Sequence, residues 1–440
     1  VRAMLSQRGI RQRLIPPLLD LLLEEPPPPT AHAALAPRFD LGALIDRQGY
    51  DIDRAGVAGL ITGRRVLVTG AGGSIGSEIV RIVAAFDPSL LVLMERSENA
   101  LFEIDRQLTR AFPDVPRRAM LHDVVDADAT LRRVVEARPD VVFHAAAHKH
   151  VPLMEDHPGL AVENNLFGTK SIADAAVAVG ASRFVLISSD KAVNPTSVMG
   201  ATKRMAEMYV QGLHASVSDG ARAGSTRLAM VRFGNVLGSA GSVVPIWSAQ
   251  LAEGGPITVT DARMTRYFMT IHEAATLVIQ AAAMIDDAEP VAPVFVLDMG
   301  EPIRILDMAE RFVRLHGHQP RVVETTRSAT ADPAPLSTQY SALSTPIDIV
   351  LTGARPGEKV HEELAYSQEQ TRATAHPGIN AWIGAGTRLA PAAVTAMIAE
   401  MSACRSGADP AAVLAAIRRH VPEMQCPEQA APPGVSRRTG

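Results

Sequence analysis

Apolar residues in this chain form short continuous runs separated by longer stretches with helical periodicity. The run 66-VLVT-69 is rich in β-branched residues, and the stretch after it places four apolar residues on one stripe, Ile75, Ile79, Ile82 and Val83, as expected of an amphipathic helix. Further strand-like runs, each followed by a helical stretch, occur at 90-LLVLM-94, 140-DVVFHAAA-147 and 183-RFVLISS-189. This alternation predicts an α/β fold with a doubly wound parallel sheet.

A glycine cluster joins the first run to its helix. Gly70, Gly73 and Gly76 have the spacing GxxGxxG, in which the first glycine lets the turn close, the second lets a pyrophosphate approach, and the third lets the helix press on the strand. The N–H groups of the first helical residues, Ser74 and Ile75, would face the phosphates. The pattern predicts a Rossmann dinucleotide site, although a glycine-rich turn without a ligand has the same local sequence.

The acid at the end of the second run bears on the choice of dinucleotide. Glu95 follows the glycines by about twenty residues, where an acid accepts a hydrogen bond from the ribose 2′-hydroxyl of NAD. Arg96, beside it, would instead pair with the 2′-phosphate of NADP, so both cofactors remain open. We expect the cofactor site to comprise Gly70, Gly73, Ser74, Ile75, Gly76, Glu95, Arg96, Ser97, Asp123, Val124, Ala145, Ala146, Lys149, Asn165 and Lys203.

The stretch 188-SSDKAVNPTSVMGATKR-204 has the pattern of a dehydrogenase active site with one exchanged residue. Lys203 follows Met199 at the spacing at which sugar-modifying short-chain dehydrogenases have Tyr before Lys. A thioether does not transfer a proton at neutral pH, so the proton chemistry must lie elsewhere. Asp190 and Lys191 are the nearest titratable pair, preceded by Ser189. The alternative is an ordinary loop with a surface Asp and Lys.

Eight sequence blocks between Val68 and Leu364 resemble those of the polysaccharide-biosynthesis (CapD-type) nucleotide-sugar 4,6-dehydratases: VTGAGGSIGSEI, HAAAHKHVPLME, NNLFGT, SSDKAVNPTSVMGATKR, VRFGNVLGSAGSVVP, ITVTDARMTRYFMTI, FVLDMGEP and TGARPGEKVHEEL. The chain is similar to their large forms, which act on UDP-N-acetylglucosamine and commonly have Met where short forms have Tyr. The resemblance implies an extended short-chain dehydrogenase fold with a smaller C-terminal α/β substrate domain. It places the family's catalytic pair at Asp190 and Lys191, with Ser189 where Thr is usual.

The resemblance also implies a reaction. UDP-N-acetylglucosamine would be oxidised at C4, lose water across C5 and C6, and regain the hydride at C6, so that tightly bound NAD is recycled. Lys191 would take the C5 proton and Asp190 would protonate the departing C6 hydroxyl. The base for the C4 hydroxyl stays open among Asp190, Lys203 and water. The alternatives are a nucleotide-sugar 4-epimerase, which would normally need Tyr at position 199, and a non-enzymatic NAD-binding regulator.

The second half of the chain contains candidates for contact with a nucleotide sugar. Asn235, Arg266 and Arg355 lie in blocks that the family uses near its substrate, and Glu358 is a candidate for a ribose hydroxyl. Arginines suit a diphosphate, although each could equally form a structural ion pair. The pair His148 and His150 has no third ligand at suitable spacing, so we expect no metal site.

Composition narrows the class of protein. The net charge of −4 argues against a nucleic-acid partner, and two cysteines, Cys404 and Cys426, indicate a reducing cytoplasm rather than a disulfide framework. No segment reaches the roughly 18 consecutive apolar residues of a membrane span. The chain begins with Val1, which indicates either a non-standard start codon or a longer parent with a membrane anchor at the cytoplasmic face of the inner membrane. We expect a homo-oligomer.

Proline-rich and polar stretches suggest boundaries. A polar insertion is expected at 326–346. The predicted organisation is an N-terminal helix and Pro-rich linker at 1–42, a Rossmann domain with the active site at 43–235, a nucleotide-sugar-binding region at 236–366 that returns to the Rossmann domain at about 270–300, a helical extension at 367–426, and a disordered tail at 427–440.

Overall fold

A computed structural model describes most of the region that holds the predicted motifs. The described residues are 42–45, 47, 49–218, 220, 226–285, 292–324, 346–364, 370–383 and 390–424, and all belong to one compact unit. The predicted N-terminal helix, nearly all of the insertion at 326–346 and the tail at 427–440 lie outside the described residues.

The strands of the described residues are β1 Arg65–Thr69, β2 Leu90–Glu95, β3 Arg117–Leu121, β4 Val141–His144, β5 Arg183–Ile187, β6 Arg227–Arg232, β7 Asn235–Val236, β8 Ile257–Val259, β9 Thr265–Arg266, β10 Phe268–Met269, β11 Val294–Leu297, β12 Ile303–Arg304, β13 Gln319–Glu324, β14 Pro346–Leu351, β15 Gln370–Ala373 and β16 Ile379–Ile383. In this part of the chain a nine-stranded sheet has the order β15-β16-β11-β6-β5-β4-β1-β2-β3. The strands from β11 to β3 are parallel. The predicted doubly wound α/β fold is confirmed.

The helices of the described residues are α1 Gly42–Ile45, α2 Arg54–Ile61, α3 Ser74–Ala84, α4 Glu98–Ala111, α5 Ala127–Ala137, α6 Val151–Asp156, α7 Pro158–Ala161, α8 Gly168–Ala178, α9 Val198–Ser218, α10 Val243–Ala252, α11 Ile271–Ala283, α12 Ile305–Leu315, α13 Pro391–Ser402 and α14 Pro410–His420. A π-helical segment covers Val162–Phe167, and a 3-10 turn covers Asp190–Ala192.

Helices cover both faces of the main sheet, which explains why its strands are continuous apolar runs. Along β1, Leu67 packs in one core with α8 and α9, whereas Val66 and Val68 pack in the opposite core with α3 and α11. The carboxyl ends of the parallel strands meet at one edge of the sheet. The glycine turn after β1, Glu95 at the end of β2 and Asp190 after β5 therefore lie at the same edge.

A smaller layer is built on the parallel strands β13, β14 and β8. Trp247 of α10 and Phe312 of α12 pack in its core, with ring centroids 5.6 Å apart. Between these elements the chain returns to the main sheet as α11 and β11. The smaller layer falls within the region 236–366 that was predicted to bind a nucleotide sugar.

The segment 367–426 differs from the all-helical extension that was predicted. Its first part forms the β15–β16 hairpin, and β16 pairs antiparallel with β11, with Ile379 opposite Leu297. Ile379 and Ala381 are buried because alternate residues of the strand face the core. Two helices, α13 and α14, follow. The prediction was therefore wrong over 370–383.

Candidate active site

The glycine turn has the geometry of a dinucleotide cradle. Gly70 has φ +64°, and a Cβ there would lie 2.7 Å from the backbone nitrogen of Ala146. At Gly76 a Cβ would lie 2.0 Å from the carbonyl oxygen of Gly70. Gly73 donates a backbone hydrogen bond to Gly70 at 2.9 Å and precedes α3, which begins at Ser74. Side chains at Gly70 and Gly76 would therefore collide with backbone atoms and distort the turn, and the N-terminus of α3 points its N–H groups towards the cradle.

Glu95 braces the loops around this cradle. Its Oε2 accepts a hydrogen bond from the backbone N–H of Gly72 at 3.1 Å, and its Oε1 accepts from Arg96 at 2.9 Å and Ser97 at 3.0 Å. An ionised carboxylate has about four acceptor directions, so one direction is available for a ribose hydroxyl. Glu95 therefore has a structural role, and its contact with a ribose hydroxyl stays a prediction.

A cleft of about 230 Å³ runs along this edge of the sheet. Its lining contains eight of the predicted cofactor residues, Gly70, Gly73, Glu95, Arg96, Asp123, Val124, Ala145 and Ala146. The sequence reasoning missed four others, Met94, His122, Ala147 and Asn164. All four adjoin predicted residues along the chain, which was a usable signal.

Arg96 lies at the mouth of the cleft among polar partners. Its Nη1 atom lies 3.7 Å from Oδ2 of Asp123, and its Nη2 atom lies 3.4 Å from Nε2 of His148. Burial and the Arg96 guanidinium lower the pKa of His148. Because the lowered pKa keeps the His148 imidazole neutral at pH 7, Arg96 is the charged member of this pair.

Asn165 connects the cleft wall to α9. Its Oδ1 accepts from the backbone N–H of His148 at 2.8 Å, and its Nδ2 donates to the His148 carbonyl and to Oγ1 of Thr202, each at 3.1 Å. Lys149, the next residue of the wall, donates to Oγ of Ser239 at 3.3 Å, and burial lowers its pKa. Asn165 therefore holds the backbone of His148 in place. Direct contact of Asn165 or Lys149 with a cofactor stays a prediction.

The predicted catalytic pair lies in the 3-10 turn after β5. Asp190 is fully buried, and its Oδ1 accepts from Oγ of Ser189 at 2.8 Å and from Nζ of Lys191 at 3.0 Å. Among the described residues, no donor reaches its Oδ2. The turn lies against α9, where a Cβ on Gly200 would be 2.1 Å from the carbonyl oxygen of Lys191. Only glycine permits this approach.

Lys191 lies among oxygen atoms from three parts of the chain. Besides Asp190, its Nζ reaches Oδ1 of Asn235 at 3.3 Å and Oε1 of Glu362 at 3.4 Å. Burial acts to lower the pKa of Lys191, but the Asp190 and Glu362 carboxylates outweigh burial and raise it. Lys191 is therefore an ammonium at neutral pH. The sequence reasoning missed Glu362, although it lies in the block that contains Arg355 and Glu358.

Lys203 and Met199 lie one helical turn apart in α9, and both are buried. Nζ of Lys203 donates to the carbonyl oxygen of Ile187, and burial lowers the pKa of Lys203 to about 8 against the opposing charge of Glu207. Met199 packs in the apolar core. Met199, at the position where the resemblance implies Tyr in short forms, therefore packs in the core, and its lack of a chemical role stays a prediction.

The four predicted substrate residues differ in their surroundings. Arg266 donates to the carbonyl oxygens of Thr265 and Lys359, each at 2.8 Å, and of Val360 at 3.1 Å. Its guanidinium therefore anchors the segment around 360. Arg355 is exposed and pairs with Glu358 at 2.9 Å. Contact of these residues with a nucleotide sugar stays a prediction.

The described residues also bear on two other features, membrane-spanning helices and metal sites. None of the described helices combines the length and apolar character needed to cross a membrane. Within the same ranges, no group of three or more His, Cys, Asp or Glu side chains is arranged to hold a metal ion.

Comparison with known proteins identifies the family. The profile of a polysaccharide biosynthesis protein family matches residues 66–383. The chain is 45% identical over 327 residues to the probable polysaccharide biosynthesis protein EpsC of Bacillus subtilis, covering 74% of this chain and 49% of that protein. It is 43% identical over 333 residues to the capsular polysaccharide biosynthesis protein CapD of Staphylococcus aureus, covering 76% and 50%. The chain thus spans about half the length of these curated relatives.

Two further similarities concern a named enzyme and a solved structure. The inverting UDP-N-acetylglucosamine 4,6-dehydratase of Campylobacter jejuni is 32% identical over 223 residues, covering 50% of this chain and 64% of that protein. The X-ray structure of Pen from Bacillus thuringiensis superposes with a TM-score of 0.60 at 31% identity, covering 73% of this chain and 88% of that one. The family match, these identities and the sheet topology confirm the resemblance seen in the sequence blocks. The chain therefore belongs to the polysaccharide biosynthesis protein family, as a CapD-type member with the extended short-chain dehydrogenase fold.

Proposed function

We propose that this chain is the catalytic part of an NAD(H)-dependent UDP-N-acetylglucosamine 4,6-dehydratase. The observation that carries the proposal is the contact of 3.0 Å between the buried Asp190 and the partly exposed Lys191, at the sheet edge that also has the dinucleotide cradle. An elimination needs an acid and a base close together, and this pair supplies both. The name of the C. jejuni relative supports the choice of substrate.

The cradle fits a dinucleotide because Gly70 and Gly73 line the cleft without side chains of their own, which leaves the backbone open to a pyrophosphate. Glu95 would accept from the ribose 2′-hydroxyl of NAD, and Arg96 would meet the 2′-phosphate of NADP. NAD(H), when bound, supplies reversible storage of a hydride. The braced position of Glu95 favours NAD. Tight retention of the cofactor between turnovers is part of the proposal.

The protonation of Lys191 defines how the pair would act. A base must be unprotonated, yet the surrounding carboxylates raise the pKa of Lys191. Transfer of one proton from Nζ to Oδ1 of Asp190, across 3.0 Å, leaves a neutral amine and a protonated carboxyl group. These are the two states that removal of the C5 proton and protonation of the C6 hydroxyl require. The ion pair is therefore one proton shift away from the reactive form.

The base for the C4 hydroxyl is proposed from the same three candidates, Asp190, Lys203 and water. Burial brings the pKa of Lys203 to about 8, which suits proton exchange near neutral pH. Its contact with the Ile187 carbonyl keeps the amine at a defined place. These observations favour Lys203 among the three.

Nucleotide-sugar contacts are proposed for Asn235, Arg355 and Glu358. Asn235 already touches Lys191 at 3.3 Å, so a sugar in contact with Lys191 would also meet its amide. Arg355 is exposed and offers several donors to a diphosphate. Arg266 would act through the segment it anchors.

The test is incubation of the purified protein with UDP-N-acetylglucosamine, followed by mass spectrometry of the nucleotide sugar. Loss of one water supports a dehydratase, an epimer of unchanged mass supports the 4-epimerase, and no reaction supports a regulator. Lys191→Met and Asp190→Asn should each keep bound cofactor and lose dehydration by ~10²–10⁴-fold. Product formation by either variant near the parent rate would show that the role of the pair is wrong.

A further inference from the structure

Glu362 is a buried carboxylate at the catalytic centre that the proposed chemistry does not yet use. It lies after β14, with 7% of its surface exposed. Its Oε1 is 3.4 Å from Nζ of Lys191 and 3.8 Å from Nε of Arg266. Within the described ranges no donor reaches its Oε2. A buried carboxylate with one unpaired oxygen is costly, so its presence calls for an explanation.

The charges around Lys191 balance as a group of four. Carboxylate oxygens of Asp190 and Glu362 lie 3.0 Å and 3.4 Å from the ammonium, and Nε of Arg266 lies 3.8 Å from the Glu362 carboxylate. Lys191 also touches the neutral amide of Asn235. In a site with little water these charges interact strongly. Lys191 therefore exchanges its proton under the control of two carboxylates.

The backbone holds Glu362 in this place. Arg266 donates to the carbonyl oxygens of Lys359 and Val360, three and two residues before Glu362. Nζ of Lys359 donates to the carbonyl oxygen of Val193 at 2.9 Å, next to the catalytic turn. The segment is thus tied to the turn by contacts that do not involve the Glu362 side chain. Its carboxylate is presented to Lys191 by the fold.

We propose that Glu362 is a positioning residue of the catalytic centre, which holds the Lys191 ammonium against Asp190 and controls the pH at which Lys191 releases its proton. The inference rests on the proposed function for its catalytic meaning. Without Glu362, Lys191 would face one carboxylate and would lose its proton at lower pH. An opposite charge at this range shifts a titration by roughly 1–3 pH units.

The experiment compares Glu362→Gln with Glu363→Gln in the full chain. Glu363 is the adjacent carboxylate, is exposed, and pairs with Lys359, so its replacement removes the same charge outside the centre. The first readout is acylation of Lys191 by acetic anhydride, followed by peptide mapping across a pH series, because only the neutral amine reacts. The second is the pH profile of kcat/KM on UDP-N-acetylglucosamine.

We expect Glu362→Gln to lower the acylation midpoint of Lys191 by about one pH unit or more, and to move the Lys191-dependent limb of the pH profile in the same direction. Glu363→Gln should match the parent in both. Glu362→Asp, which keeps the charge at greater distance, should lie between the parent and Glu362→Gln. If Glu362→Gln fails to fold, as judged by circular dichroism, the parent and Glu362→Asp are compared instead, and the same downward shift is expected.

Equal midpoints in the parent and every folded Glu362 variant would overturn the inference. The acylation readout needs no substrate, so it remains decisive if UDP-N-acetylglucosamine proves not to be dehydrated. A parent that dehydrates the sugar, together with an unchanged Lys191 midpoint in Glu362→Gln, would reject the role of Glu362 and leave the proposed function standing.

Discussion

The carbonyl oxygen of Lys191 faces the Cα of Gly200 so closely that a Cβ on Gly200 would lie 2.1 Å from it. The first turn of α9 therefore packs directly on the backbone of the catalytic turn. Ser197 completes this junction by accepting from the backbone N–H of Gly200 at 3.1 Å. The position of Lys191 depends on a residue that has no side chain.

Gly200→Ala should displace the catalytic turn. The new methyl group must push Lys191 away from α9, because the contacting atom is backbone and cannot rotate aside. We expect dehydration to fall by at least ~10-fold, since small misplacements of reacting groups are costly. The measurement is product formation by protein whose cofactor content equals that of the parent. Gly59→Ala is the control: Gly59 lies in α2 with no atom within 4 Å of the added Cβ, and this change should stabilise the helix by roughly 0.5–1 kcal/mol. Parent-like activity in Gly200→Ala would contradict the argument.

Glu207 should be required for stability at neutral pH. It is fully buried, accepts from Oγ of Ser188 at 2.6 Å, and pairs with Arg232 at 2.7 Å. Burial raises the pKa of Glu207, but Arg232, Arg204 and Ser188 outweigh this and lower it to about 2, from 4.5. Because the folded pKa is the lower one, its stabilisation is complete above about pH 4.5 and is lost as pH falls towards 2.

Glu207→Gln removes the buried carboxylate that pairs with Arg232, and breaking a buried ion pair should cost about 3–5 kcal/mol of unfolding free energy. Urea unfolding at pH 7 and pH 3 checks this, and the difference between parent and variant should shrink at the lower pH. Glu136→Gln, at an exposed pair with Arg118, should change stability by at most ~1 kcal/mol. A pH-independent difference for Glu207→Gln would reject the electrostatic explanation.

Met199→Ala should affect packing and leave the chemistry intact. The buried thioether lies in the apolar core, so its removal should cost ~2–5 kcal/mol. Product formation from UDP-N-acetylglucosamine, measured below the melting temperature of the variant, should stay near that of the parent. Loss of both product and C5 proton exchange in deuterated water, in folded and cofactor-loaded protein, would assign Met199 a direct role.

Glu95→Gln should weaken both dinucleotides, and NAD more than NADP. The Gln amide has one acceptor oxygen instead of two, so it cannot keep all the hydrogen bonds that Glu95 accepts from the backbone of Gly72, Arg96 and Ser97. This loss affects both cofactors. The neutral amide oxygen is also a weaker acceptor for the 2′-hydroxyl, which only NAD has. We expect an extra loss of ~10-fold for NAD, measured by titration of cofactor-stripped protein. Glu98→Gln, at the exposed start of α4, is the matched control. Equal losses for both cofactors would remove the 2′-hydroxyl assignment.

The parts of the site that could be predicted are those determined by neighbouring residues. The runs at β1, β2, β4 and β5 are apolar because both faces of the sheet are covered, and this pattern is visible locally. The glycine turn depends on three residues within one turn of chain. Asp190 and Lys191 are consecutive, so their contact required no knowledge of the fold.

The parts that could not be predicted depend on long-range contacts. Glu362 meets Lys191 only because Arg266 anchors the chain around 360, and the sequence does not show whether that guanidinium faces a phosphate or backbone carbonyls. The β15–β16 hairpin needs β11 as its partner, and its alternation is too short to identify without it. The raised pKa of Lys191 comes first from Asp190, its neighbour in sequence, and then from Glu362, whose contribution needs the same long-range contact.

Lys191 and Glu362 come from different layers of the structure, so their contact depends on both layers being folded. Lys191 follows β5 of the main sheet, whereas Glu362 follows β14 of the smaller layer. Lys359 links the segment of Glu362 to Val193, beside the 3-10 turn that contains Lys191. The dinucleotide cradle lies wholly within the first layer. If the smaller layer unfolded locally, we expect the protein to keep its cofactor site but to lose the Lys191–Glu362 contact. The proposed activity would then require both layers to be folded, whereas cofactor binding would require only the first.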